Sequence, residues 1–290
     1  MNVEVLEGLL HVMSPVVSGS DEHTGNHTDI RRITFSVDGA PVDIPVISGN
    51  SIRGQLRRLI MADMLERVGK IPTGLDLAEI EKMASQSKGF ARLWHSLCSG
   101  GMLEQVAEKD SGYVDLAMKR SIRLALPPVS VLGTAIGNQM IQGKIDVAIA
   151  RPCCIELKDS VPAKFRPLCV QPYRELEGTS FGTRKDDLHE EREEGDAATQ
   201  MLYTYDYIAP GAKLYHRITL VNCNDIERAV VGRMIRLWTA RPRLGGKAGT
   251  GHGEISVDYD SVPDDAPWLA WIDVNRTKIL DMLTELEGGS

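Results

Sequence analysis

Two stretches far apart in the chain carry residue types suited to gripping an anion. The first is Ile47-Ser48-Gly49-Asn50-Ser51-Ile52-Arg53-Gly54-Gln55-Leu56-Arg57-Arg58, where a β-like run (Val42 to Ile47) turns at a glycine into a helix with three arginines and no acid in its first turns. Asn50 and Ser51 have short side chains that can cap orphan amides. Gly49 permits a backbone conformation or a close approach that a Cβ forbids. Arg53 and Arg57, four residues apart, share one helix face. Amides at a helix start with guanidinium groups one turn later suit phosphate; the plainer alternative is a capped helix with a solvated basic face. The second stretch, residues 241–253, holds five glycines with Arg241, Arg243 and Lys247 and no acid. Clustered glycines expose backbone amides, and the cations complete an anion site at Arg243, Gly245, Gly246, Lys247, Gly249, Thr250 and Gly251. A flexible hairpin is the competing reading. A Walker loop is a poor fit, because Ala248 stands where the Mg²⁺-binding hydroxyl belongs. The dinucleotide fingerprint needs strand, glycines, then helix; here a helix precedes and a strand follows.

Other chemistries find little support. There is no G-x-S-x-G and no H-E-x-x-H, and His11, His95 and His216 read as core or surface histidines. His23 and His27 lie in a Gly- and Ser-rich polar stretch, residues 18–29, that no helix could hold to one face, so neither a metal site nor a cofactor is expected. Asp29 ends that stretch and reads as a solvated loop residue or a cap with no metal constellation beside it. The five cysteines include no C-x-x-C, which favours reduced thiols. An aromatic content of 5% is low for a base-stacking platform. The net charge of −7 argues against nucleic acid as partner, but a binding face needs only local positive potential.

The elements that must position these stretches can be read in order. At 42% hydrophobic and 25% charged, 290 residues suffice for a single domain with a real core. No apolar run reaches the roughly 20 residues of a membrane span, and the N-terminus shows no signal pattern, so no membrane partner and a cytoplasmic location are expected. Residues 3–13 read as a strand, followed by the 18–29 loop. Ile33–Val37 and Val42–Ile47 flank Asp38-Gly39, a hairpin signal. The arginine-bearing helix runs to Arg67 with Leu56, Leu59, Ile60 and Leu65 as its stripe. Residues 68–126 read as a helical insertion (Leu77–Ala84, Phe90–Leu97, Leu116–Leu124), with Trp94 in the core, closed by Pro127-Pro128. Val129–Gly137 and Lys144–Cys154 read as extended. The charge run His189–Asp196 reads as a solvated, projecting loop. Met201–Ile208 and Lys213–Val221 are strands around Pro210-Gly211, and Asp225–Ala240 is the clearest amphipathic helix. Glu254–Tyr259, Trp268–Ile272 and a helix over Asn275–Glu287 close the chain.

Taken together, Gly49–Arg57 (G-x-S-I-R-G-x-x-R) and Gly245–Gly253 resemble the first-helix motif and the terminal glycine-rich loop of the RAMP superfamily of CRISPR proteins. Thr199–Leu220 resembles the segment after the thumb hairpin of backbone subunits. The Val129–Met140 run, with Gly133–Met140 within it, is most similar to the Cas-seven-like subunit of type IV systems. The resemblance implies an α+β fold: a modified ferredoxin-like, RRM-like core over residues 1–290, a helical insertion at about 68–126 and a β-hairpin thumb at about 177–200. It implies a subunit that stacks in several copies along CRISPR RNA, with other effector subunits and a helicase as partners, and that reaches a target nucleic acid by guide pairing. Asn50, Ser51, Arg53, Arg57, the 243–251 loop, Arg184, Lys185 and Met140 would then contact RNA, and no catalysis is expected. Arg53→Ala with Arg57→Ala is expected to weaken RNA binding without unfolding, both side chains being exposed. The alternatives are a type III-like subunit cutting target RNA through Asp29, a guide-processing nuclease, and a nucleotide-binding regulator.

Overall fold

The computed structural model describes residues 2–24, 26–101, 115–136, 139–184 and 201–288. Its central sheet follows from alternation in the first strand. In β1 (Val3–Val12), Leu6, Leu10 and Val12 are buried on one face, with Gly8 between them. A Cβ on Gly8 would strike the Asp258 carbonyl and the Tyr259 ring, so the glycine permits the strand beside it to close in. After β1 come a hairpin of β2 (Gly19–Thr24) and β3 (His27–Ile30), a second hairpin of β4 (Arg32–Val37) and β5 (Ala40–Pro45), and the helix α1 (Gly49–Arg67). Asp38 and Gly39, both at positive φ, make the β4–β5 turn that the Asp-Gly pair predicts.

The segment between α1 and the next central strand is mostly helical: α2 (Leu77–Ser85), α3 (Lys88–Trp94) running into a π-helical turn (His95–Ser99), α4 (Leu116–Ala125) and α5 (Pro127–Leu132). Asp76 and Glu79 form a capping box at the start of α2. Pro127-Pro128, expected to end this region, instead opens α5. Proline fits the first helical turn, where its missing N–H costs nothing. The predicted extended run Val129–Gly137 is therefore helix to Leu132. A small hairpin follows, β6 (Thr134–Ile136) and β7 (Gln139–Ile141).

Strands β8 (Ile145–Val147) and β9 (Arg151–Pro152) form one broken edge of the central sheet. The next hairpin is β10 (Glu177–Arg184) and β11 (Met201–Ile208), paired from Glu177 with Ile208 to Arg184 with Met201. The charge run lies outside the described residues. Then come β12 (Lys213–Val221), α6 (Asp225–Ala240), β13 (Ile255–Tyr259), α7 (Ala266–Val274) and α8 (Arg276–Gly288). In the central sheet the strand order is β13-β1-β12-β8, all antiparallel. With α1 and α6 as the two connecting helices, this is the split βαβ-βαβ arrangement of ferredoxin-like folds. The α+β expectation is thus borne out. The core lies between the sheet and the two helices: Leu6 and Leu10, Ile218 and Leu220, Ile52, Leu56 and Ile60 of α1, and Val230, Met234 and Trp238 of α6. No helix among the described residues is long and apolar enough to cross a membrane.

The predicted 18–29 loop is instead a pair of strands. β3 adds in parallel to β11, giving a second sheet ordered β10-β11-β3-β2. Its strand character comes from a partner some 180 residues away in sequence, which local composition could not reveal.

One buried polar group makes the core pH-sensitive. His216, on β12, has no solvent exposure; its Nδ1 lies 2.6 Å from the Tyr259 hydroxyl and its Nε2 3.1 Å from the Ala148 carbonyl. A neutral ring satisfies both, with Nε2–H donating to Ala148 and the Tyr259 hydroxyl donating to Nδ1. Burial pushes its pKa from 6.5 to about 4. Between those values the unfolded chain holds the extra proton, so stability is complete above the upper value and falls as pH drops toward the lower, with a slope approaching about 1.4 kcal/mol per pH unit. Urea unfolding across this range should show the slope in the wild type and lose it in His216→Gln.

Candidate nucleic-acid interface

The start of α1 is fixed by Ser48, whose hydroxyl accepts from the Ser51 amide at 3.1 Å. A Cβ on Gly49 would fall against the Val147 carbonyl, so this glycine serves the packing of α1 on the edge of the central sheet rather than a ligand. The two arginines of the motif do share a face, but it is turned inward. Arg57 is 7% exposed; its guanidinium donates to the carbonyls of Gly133 (2.7 Å), Leu132 (3.0 Å) and Leu97 (3.4 Å). Arg53, half-buried, donates to the same Leu132 carbonyl at 2.5 Å. The expectation of an exposed Arg53–Arg57 face is corrected accordingly. These cations meet the orphan carbonyls at the C-terminal end of α5, where both the hydrogen bonds and the helix dipole favour positive charge. Burial, with Arg53 nearby, pushes the Arg57 pKa down to about 10, still cationic at neutral pH.

The face of α1 that looks outward carries Ser51, Gln55 and Arg58, at the helical spacing of four and three that stacks side chains on one side. Arg58 was missed in the sequence; continuing the pattern from Ser51 would have found it. This face lines a cleft of about 750 Å³. Asn50 and Ser51 contribute from the helix start, and Arg243, Gly245 and Gly246 from the glycine-rich turn. Ser18, Gly19 and Arg31 close it from the strands beyond β1. The two stretches singled out in the sequence therefore meet in space. Among the described residues, three arginines (Arg31, Arg58, Arg243) and no acidic side chain line the cleft, a local excess of positive charge in a chain of net charge −7.

Backbone bonds hold the glycine-rich turn in place. Gly246 donates to the Val17 carbonyl at 2.8 Å, Leu244 to Gly253 at 2.8 Å, and Gly253 to Pro15 at 2.9 Å. Gly245 sits at φ +78°, and a Cβ there would collide with the Val17 carbonyl, so only glycine fits. Arg243 is oriented by donation to the His252 carbonyl at 3.1 Å. Lys247 does not line the cleft: its ammonium rests 4.2 Å from the Tyr203 ring and 4.4 Å from the Tyr205 ring. His252 Nε2 meets the Tyr205 hydroxyl at 3.0 Å. Thr250 donates to the Lys247 carbonyl at 2.9 Å, while Gly249 and Gly251 stand exposed on the outer rim.

The remaining predicted contacts lie elsewhere. Met140 is 63% exposed on β7, in the small hairpin whose entry Arg53 and Arg57 anchor. Arg184 is the last residue of β10; Lys185 lies outside the described residues. Asp29 is on β3, with His27 Nε2 3.1 Å from one of its oxygens and the same nitrogen 3.6 Å from Asp206 on β11. The expectation that Asp29 has no potential metal ligands beside it is thereby overturned.

No family model and no curated protein matches the chain. Among solved structures, a chain described as "Type IV-B CRISPR Complex" superposes on it with a TM-score of 0.61 and 20% sequence identity, covering 89% of this chain and 91% of that one. The two share a fold. At that coverage the likeness to the Type IV-B CRISPR complex chain extends well beyond the ferredoxin-like core, and the fold expected from the motif resemblance is borne out.

The two arginine classes make opposite expectations. Arg57→Ala should destabilise the protein by about 3 kcal/mol, through buried carbonyls left without a donor. Arg58→Ala should shift stability by no more than about 0.5 kcal/mol, as surface positions do. Urea unfolding of both variants, followed by circular dichroism, checks the assignment.

Proposed function

We propose that this protein is a guide-binding backbone subunit of a type IV-like CRISPR effector complex in the cytoplasm. Several copies stack head-to-tail along the CRISPR RNA, alongside other effector subunits and a helicase. The observation that carries the reading is the arginine-lined cleft, where the α1 start and the glycine-rich turn converge in a fold shared with a Type IV-B CRISPR complex chain. The guanidinium groups of Arg58 and Arg243, with the polar side chains of Asn50, Ser51 and Gln55 beside them, are the donors a phosphodiester backbone requires, and they read no sequence. Sequence would be read by pairing between guide and target. Each copy presents different surfaces to its two neighbours, the open, heterologous arrangement that a linear guide calls for. The β10–β11 hairpin is the thumb in this reading and displaces a base between segments.

The test is co-purification with a guide RNA followed by binding across salt. The wild type should carry RNA; Arg58→Ala combined with Arg243→Ala should flatten the slope of log K against log salt by about 1.4, from ~0.7 per phosphate contact on single strands. An unchanged slope in a folded double variant, or elution of small nucleotides in place of RNA, overturns the proposal.

We propose further that the subunit does not cut its target. What supports this is the engagement of the Asp29 carboxylate by His27 within a sheet. The competing reading, cleavage of target RNA through Asp29, draws on the same cluster of His27, Asp29 and Asp206. Guide-paired target RNA in the assembled complex should stay intact with Mg²⁺ present. Regularly spaced cuts that vanish in Asp29→Asn would make the protein a nuclease.

A further inference from the structure

The β10-β11-β3-β2 sheet has two chemically distinct faces. Alternation along β11 puts Tyr203 and Tyr205 toward the glycine-rich turn, and Thr204 and Asp206 on the opposite side. β3 runs parallel to β11 with His27 opposite Thr204 and Thr28 opposite Tyr205. The next position along brings Asp29 level with Asp206, on the same face as His27. Two carboxylates level with each other on neighbouring strands repel, and a cation between them relieves that repulsion.

The geometry there is that of a ligand set. His27 Nε2 lies 3.1 Å from Asp29 Oδ1 and 3.6 Å from Asp206 Oδ2, and one donor atom from each residue falls within 4.8 Å of the others. Metal–ligand bonds of about 2.1 Å in a tetrahedron separate the ligands by roughly 3.4 Å, between the two distances to His27. Both flanking hydroxyls point the donors inward. Thr204 Oγ1 meets His27 Nδ1 at 2.6 Å, which aims Nε2 at the carboxylates, and Thr179 donates to Asp206 Oδ1 at 2.6 Å, leaving Oδ2 on the His27 side. Outer partners of this kind fix the ring and the carboxylate of metal ligands. The three side chains are partly exposed, so water can complete the coordination.

We propose that His27, Asp29 and Asp206 bind one divalent transition-metal ion, Zn²⁺ or Mn²⁺, which ties the β2–β3 hairpin to β11. One imidazole with two carboxylates suits these ions. Among the described residues these strands share two register pairs, so a metal bridge would add to how firmly the hairpin is held. The inference involves no nucleic acid; it shares the His27–Asp29 pair with the no-cleavage reading, and its titrations contain no RNA, so the two fail separately.

The test uses the full chain, stripped with chelator and titrated calorimetrically with ZnCl₂ and separately with MnCl₂. The expected result is about one ion per chain, with affinity lost by at least about tenfold in His27→Gln and in the near-isosteric Asp206→Asn, and by about tenfold in Thr204→Val. Metal should also raise the melting temperature of the wild type and leave that of Asp206→Asn unmoved. Absence of saturable binding by the wild type overturns the proposal. Binding that is unchanged in all three variants also overturns it, since the ion then sits elsewhere, for instance on the cysteines. The wild-type titration decides even where a variant does not fold.

Discussion

A guanidinium in the interior is tolerable only if its donors are spent, and that constraint organises the middle of this molecule. Arg57 sits where α1, the π-helical turn and the end of α5 converge, and it donates to a carbonyl from the turn and to two from the α5 terminus. The two at the α5 terminus lie beyond the reach of that helix's own amides. One charge thereby ties the π-helical turn to the end of α5, and the short β6–β7 hairpin leaves this junction in a defined direction. Thr134, the first residue of β6, adds a hydroxyl bond to the Ser96 carbonyl of the same π-helical turn. The inserted helices are thus bound to the ferredoxin-like frame by polar contacts as well as by apolar packing.

The cleft depends on this junction indirectly. Because Arg53 and Arg57 are consumed inside, the outward side of α1 offers Ser51, Gln55 and Arg58. The helix start is clamped by Ser48 above and by contact of Gly49 with the edge of the central sheet. Positive charge is therefore local: among the described residues the charged groups lining the cleft are arginines, while the chain as a whole is acidic.

Much of the frame was legible because its signals are local. Met201–Ile208 and Asp225–Ala240 coincide with β11 and α6, whose alternation and helical stripe are strong and whose ends carry a Pro-Gly turn and an Asn224 capping box. The convergence of the α1 start with the glycine-rich turn was also readable, since both bear the same unusual mix of glycine and arginine. What escaped depends on distance. A four-residue spacing says that Arg53 and Arg57 lie together, but not whether their shared face meets solvent or the end of another helix. The 18–29 segment lacks the apolar alternation of a strand, and becomes one only by pairing with β11. Asp206 could not have been grouped with His27 and Asp29 without that pairing. Pro127-Pro128 was misread because proline both ends helices and begins them, and only the next turn distinguishes the two.

The crossover between β1 and β2 ties two working parts together. Val16 pairs with Ile208 at the root of β11, and its neighbour Val17 pairs with Gly246 in the wall of the cleft. Adjacent residues thus face opposite partners, and a second tie runs between the same parts through Lys247 and the tyrosines. The hairpin root and the cleft wall are therefore joined at one peptide unit and again through the Lys247 side chain. A displacement of the hairpin root would be transmitted to the wall of the cleft along the backbone itself.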